Sequence, residues 1–275
     1  MHHLNEWEPK RLLESMDPEI GERLQAREAE VSAGGAATSR LRAGLGMASV
    51  PIALAAVASD VFAQSGLPGV VVDVLNFALT LEYLEAEFYI TGVATSGLLS
   101  EDVRPTFDQI RKHEVAHVAF LQGVLGGRAV GKPTFDFTGG GGSGKGPFAD
   151  VFSNPATFSA VAQAFEDTGV RAYKGQAANL MGEKKVLRAA LQIHSVEARH
   201  AAQVRRLRQQ KSWIVGDSRG DLPAATQGTY RGDDNRFHFI LARPSGAAGM
   251  TDAFDETLTK GQVLDIVKPF MAGGR

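Results

Sequence analysis

The feature that most restricts this chain is a pattern that occurs twice: a glutamate, followed at a distance by Glu-x-x-His. Glu82 precedes Glu114 by 32 residues, and His117 lies three places beyond Glu114. Glu166 precedes Glu197 by 31 residues, and His200 lies three places beyond Glu197. On a helix, residues three apart share a face, with Cβ atoms ~5–6 Å apart. A carboxylate and an imidazole at that spacing can grip one cation. In each half a tyrosine, Tyr89 or Tyr173, follows the first glutamate by seven residues. The repeat reads as two similar helical hairpins, each bringing the same polar set to a shared interior.

Heptad neighbours say which way these residues face, because seven residues is close to two helical turns. Glu114 has Phe107 and Leu121 on its stripe, and His117 has Ile110 and Val124. Glu197 has Ala190 and Val204, and His200 has Ile193 and Leu207. Glu82 has Leu75 and Tyr89; Glu166 has Ser159 and Tyr173. Only Ser159, near a helix start, is neither apolar nor aromatic. All six polar residues are therefore expected to face a core, where an unpaired carboxylate is very costly. Four carboxylates in one core require cations, and two divalent metals supply four positive charges. One Glu from each of two helices, with Glu-x-x-His from each of two others, is the ligand pattern of two-metal carboxylate bundles.

The rest of the chain frames this core. Residues 69–210 read as four helices in two short hairpins. The first helix spans about 70–91. The second has Ser100 as its N-cap, Glu101 and Asp102 in its first turn, and ends near Leu125. The third starts at Asn154-Pro155 and runs to about Met181; the fourth covers about 184–210. Between the hairpins, residues 126–154 form a long crossover read as a flexible glycine-rich link. Its Gly144-Lys145-Gly146-Pro147 lacks the Ser or Thr that a phosphate-binding loop places after the lysine. Residues 211–275 form an irregular extension with apolar runs at 213–215 and 237–241. It ends in a short helix from near Thr259 that carries Val263, Ile266, Val267 and Phe270. This tail reads as support for the bundle or as a contact in a homo-oligomer.

Residues 1–64 are charged at first, with a helical stretch expected at 18–31. Basic Arg40-Leu41-Arg42, a soft apolar run and Val61-Phe62-Ala63 follow, in the layout of an export signal. The arginines are not adjacent, as a twin-arginine signal would have them. Export to the periplasm or cell surface is the reading; a cytoplasmic protein with an ordinary N-terminal helix is the alternative. The apolar run contains Pro51 and is too weak for a membrane span. A net charge of −2 gives no footprint for nucleic acid, and the absence of cysteine excludes disulfides, iron–sulfur clusters and thiolate zinc sites. Oxygen and nitrogen donors suit iron, manganese or zinc.

Leu75-Asn76-Phe77-Ala78-Leu79 leading into Leu81–Tyr89, His113–His117, Phe165-Glu166-Asp167 and His194–His200 resemble the ferritin-like domain of the desiccation-related protein family, over about residues 70–210. The resemblance implies an all-α, ferritin-like four-helix bundle with a long crossover, holding two metal ions and often following an export signal. Its ligands would be Glu82, Glu114, His117, Glu166, Glu197 and His200. Glu114 and Glu197 would bridge two iron (or manganese) ions, and the others would complete each shell. Glu85, one turn from Glu82, reads as an alternative ligand or a neighbour of the ligands. Tyr89 and Tyr173 read as hydrogen-bond donors, radical relays or core packing. His113 and His194 read as groups that orient ligands, or as surface residues. Two functions stay open: an oxidoreductase that reacts with O₂ or peroxide under oxidative or desiccation stress, in the manner of a di-iron oxidase or peroxidase or a manganese catalase, and a stress-protective structural protein whose metals only stabilise the bundle.

Overall fold

In the computed structural model, residues 66–235 and 251–273 are described. The expected helix at 18–31, the export signal and the apolar run 237–241 lie outside them. Six α-helices are assigned among the described residues: α1 (Gly69–Ala94), α2 (Arg104–Leu125), α3 (Pro155–Gln176), α4 (Lys184–Leu207), α5 (Gln227–Tyr230) and α6 (Lys260–Val267). The first four form the bundle. α1 packs on α2 and α3 on α4 as two hairpins joined by the crossover. None of the described helices is long and apolar enough to cross a membrane.

Side-chain caps start α3 and α6, and the expected cap of α2 is not formed. Asn154 caps α3, its side chain accepting from the Ala156 N–H at 3.0 Å, and Pro155 occupies the first turn. Thr259 caps α6 in a reciprocal capping box with Gln262. α2, however, begins at Arg104, not at Ser100. The Ser100 hydroxyl bonds the Asp102 carboxylate, so it does not cap a backbone N–H, and residues 101–103 form a turn before the helix. α3 ends at Gln176 and tightens into a 3₁₀ turn over Ala177–Leu180.

The crossover is folded, not a loose link. The Asp136 carboxylate accepts from the Thr138 N–H and hydroxyl and from the N–H groups of Gly142 and Gly144, at 2.6–3.1 Å. Glycine lets the chain curl around that anchor: Gly139, Gly141, Gly142 and Gly144 all have positive φ. The C-terminal segment is stitched to α3 by Arg171, which is fully buried. Its guanidinium donates to the carbonyls of Glu256, Thr229 and Arg231, and Asp233 lies 3.5 Å away. α6 and the turn after it add Val263, Val267 and Phe270 to the bundle core. Of the first tail run, Ile214 is buried with Ala160, Leu222 and Tyr230 and forms no extended strand. Between α3 and α4, the Asp167 carboxylate accepts from Arg205 at 2.6 and 3.1 Å and from the Tyr230 hydroxyl at 2.6 Å.

Gly92 allows α1 to approach α3. A Cβ there would lie 2.1 Å from the Phe158 ring. Alanine is the better helix former by ~1 kcal/mol, yet Gly92→Ala is expected to destabilise the protein by about 1–3 kcal/mol, the usual cost of overpacking. A fall in the urea midpoint checks this; a rise would mean that Phe158 yields freely.

Candidate metal centre

The six residues from the repeated pattern converge in the middle of the bundle, one glutamate from each of α1 and α3 and one Glu-x-x-His pair from each of α2 and α4. Glu82, Glu114, Glu166 and Glu197 have no exposed surface, and His117 and His200 are buried. Two overlapping sets form. Glu82, Glu114, His117 and Glu197 bring one donor atom each within 4.8 Å of the others, and so do Glu114, Glu166, Glu197 and His200. Glu114 and Glu197 belong to both sets. The carboxylate of Glu114 divides its oxygens, Oε2 lying 3.2 Å from His117 Nδ1 and Oε1 2.8 Å from His200 Nδ1. His117 Nδ1 also lies 3.1 Å from Glu82 and 3.4 Å from Glu197, and His200 Nδ1 lies 3.2 Å from Glu166.

The tyrosines are exchanged across the bundle. Tyr89 of α1 donates to Glu166 of α3 at 2.5 Å, and Tyr173 of α3 donates to Glu82 of α1. Each hydroxyl occupies one oxygen of its glutamate and leaves the other facing the cluster. Burial and the neighbouring carboxylates push both phenols well above their ordinary range, so both remain protonated donors.

Glu85 joins the cluster as a fifth buried carboxylate. Gly169 of α3 explains how. It follows Glu166 by three residues, as Glu85 follows Glu82. A Cβ on Gly169 would lie 2.5 Å from Glu197 Oε2 and 3.3 Å from Glu85 Oε1. The missing side chain makes room for both carboxylates.

The two outer histidines separate. His113 stacks on His200, ring centroids 5.1 Å apart, with its Nδ1 2.9 Å from His200 Nε2. Gln109 lies 2.7 Å from His113 Nε2, so a side-chain chain leads from His200 outward. The spacing Gln-x-x-x-His puts Gln109 and His113 on one stripe of α2 and is readable in the sequence; the step from His113 to His200 of the facing helix is not. His194 is not brought to the cluster. The ionisable neighbour that shapes it is Lys174, and its Nε2 has no hydrogen-bond partner among the described residues. His194 and His200 lie on opposite sides of Glu197, about 120° apart around the helix, so both cannot face the same cluster.

The electrostatics are those of a site built around positive charge. Burial raises Glu82 to about 7 despite His117 beside it. Burial and the surrounding carboxylates hold Glu85 and Glu197 well above the usual range. Burial would raise Glu114 too, but His117 and His200 pull it well below. Burial opposes charge on His200, yet Glu166 and Glu114 push it up to about 11, and Glu82 and Glu114 likewise raise His117. Even so, Glu114 Oε1, Glu166 Oε2, both oxygens of Glu197 and His200 Nδ1 are buried without a well-aligned hydrogen-bond partner among the described residues. Buried polar atoms are rarely left so. Five such atoms aimed at one point fit a pair of cations.

The sequence profile of the ferritin-like domain matches residues 71–210. The chain belongs to this ferritin-like family. The match covers the four bundle helices and both Glu-x-x-His pairs. A search of curated proteins finds no match.

Proposed function

We propose that this ferritin-like chain is a two-metal carboxylate protein that binds two iron or manganese ions and reduces O₂ or peroxide. The observation that supports it most is the pair of donor sets sharing Glu114 and Glu197. Glu114 and Glu197 would bridge, Glu82 with His117 would complete one position, and Glu166 with His200 the other. A pair of such ions, when bound, supplies two electrons to one oxidant, one from each ion. Tyr89 and Tyr173 orient Glu166 and Glu82 by fixing one oxygen of each. His113 holds the His200 ring in place through its outer nitrogen, a role that outer partners of metal-binding histidines commonly fill. The surrounding aromatic and aliphatic core excludes water. Export, which rests on the signal-like layout of residues 40–63, and service under desiccation or oxidative stress, which rests on the family resemblance, belong to the same proposal.

The test is metal analysis of the purified protein, followed by anaerobic loading with Fe(II) or Mn(II) and exposure to O₂ or H₂O₂. Two ions per chain and consumption of oxidant over many cycles are expected. A single stoichiometric oxidation with a large metal-dependent rise in melting temperature would assign the metals a structural role instead. A chain that takes up no metal at all would end the proposal.

A further inference from the structure

The two ends of the cluster are chemically alike but packed differently. On the Tyr89 side the core is solid aromatic: Phe88 stacks on Phe158 at 4.7 Å, and Phe107 meets Phe158 edge-on at 5.1 Å. On the Tyr173 side the core is aliphatic and leaves a cavity of about 20 Å³ between α1, α2, α3 and α4. The cavity lies close to the cluster. Ala78 is four residues before Glu82, Leu121 four after His117 and Ile193 four before Glu197, and all three line it. Four residues are about one helical turn, roughly 5–6 Å of rise. Tyr173 is the common wall. Its ring lines the cavity, and its hydroxyl donates to Glu82.

The lining selects the occupant. A space of this size holds one molecule about as large as water, but water needs roughly 2–4 polar partners to stay in a buried site. The polar side chains along this cavity are Tyr173 and Gln176. The Tyr173 hydroxyl is committed to Glu82 and the Gln176 carbonyl oxygen accepts from Asn179, which leaves the Gln176 amide N–H groups as the remaining side-chain polar contact, fewer partners than a buried water needs. Water and hydrogen peroxide would both lose hydrogen bonds on entry. A small apolar diatomic gas would lose none.

We infer that the cavity behind Tyr173 is a binding site for dioxygen, one side-chain thickness from the carboxylate cluster. Its service to that cluster rests on the two-metal reading above; binding of the gas itself does not. The site narrows that reading, making dioxygen the oxidant stored in the core.

The experiment uses the full, metal-free chain with labelled methyl groups under dissolved O₂ at several pressures, read by NMR. Paramagnetic relaxation at Leu121, Val186 and Ile193 is expected to exceed that at Leu222 and Val263, buried elsewhere, at least threefold. Ala190→Leu, which fills the cavity, should remove the excess; Val186→Leu serves if that chain does not fold. Equal relaxation at all buried methyls, or an excess that survives filling, overturns the site. A second arm loads the folded variant with Fe(II). Oxidation by O₂ should slow at least tenfold while consumption of H₂O₂ is unchanged. Equal slowing with both oxidants, or with neither, overturns the service to the cluster. If no metal binds, the two-metal reading fails, and the relaxation data on the metal-free chain still decide the gas site.

Discussion

Replacing Glu197 with leucine should make the metal-free protein more stable and unable to hold either ion. Both oxygens of Glu197 are buried with no aligned hydrogen-bond partner among the described residues, and four other carboxylates crowd the same site. An unsatisfied buried polar group costs about 1–3 kcal/mol, so its removal should raise stability by about that much. For a domain of this size that is a rise of roughly 2–10 °C in melting temperature. Buried substitutions usually destabilise, so the sign alone is diagnostic. Metal binding should respond the opposite way, because Glu197 contributes to both donor sets. Wild-type protein at free metal about a thousandfold over Kd gains ~4 kcal/mol per site; Glu197→Leu should gain nothing. Calorimetric scans of both chains, with and without metal, read the four values. A less stable metal-free variant would mean that Glu197 supports the fold, not a cation.

The converging glutamates and histidines were legible in the chain because helical period is a strong signal. Phe107, Ile110, Leu121 and Val124 flank Glu114 and His117 at seven-residue intervals, and all four are buried. Burial of a helix face follows from such spacing without knowledge of its partners. Legibility ended where a role depends on two helices at once. Gly169 reads as a close-contact residue of α3, but its role needs Glu197 of α4 and Glu85 of α1 at the same point. His113 and His194 look equivalent in sequence; only the angle of each around its own helix, and the helix opposite, separates them. α2 starts later than Ser100 predicts because Ser100 and Asp102 satisfy each other, a local bond that composition does not reveal. The crossover is more ordered than its glycines predict, because the residue that orders them, Asp136, stands ahead of the run.

The pseudo-symmetry also has a limit with consequences. Glu82 and Glu166 are matched, and so are their tyrosines, yet Glu85 is matched by Gly169, and His113 by Val196 four residues before His200. One half of the cluster therefore receives an additional carboxylate, and His200 alone gains a stacked imidazole from the facing helix. Two ions in this cage would not be equivalent. Their spectroscopic signatures and their order of loading should differ.

Loading two divalent ions at pH 7 should release about three protons, because coordinating groups must be deprotonated. In the metal-free protein His117 and His200 are held as imidazolium, with His200 up to about 11, and Glu197 is held protonated. One proton from each makes three, and Glu82, raised to about 7, adds a fraction of a fourth. The raised histidine values add stability that is complete below about 6.5 and is lost as pH rises through about 11. The raised carboxyls act in the same direction: the folded state favours their protonated forms, and that preference is lost as pH climbs past their ordinary range, through about 7 for Glu82. The depressed Glu114 adds stability lost only below that range, so it is constant from pH 5 to 9. Stability of the metal-free protein should therefore fall across that interval. Metal binding should strengthen across it, by ~4 kcal/mol per pH unit near neutrality for three protons. Titration calorimetry in buffers of different ionisation enthalpy counts the protons, and melting temperatures from pH 5 to 9 trace the two opposed slopes. Binding without proton release, or a metal-free protein that strengthens with pH, would contradict a cluster held together by histidine charge until cations replace it.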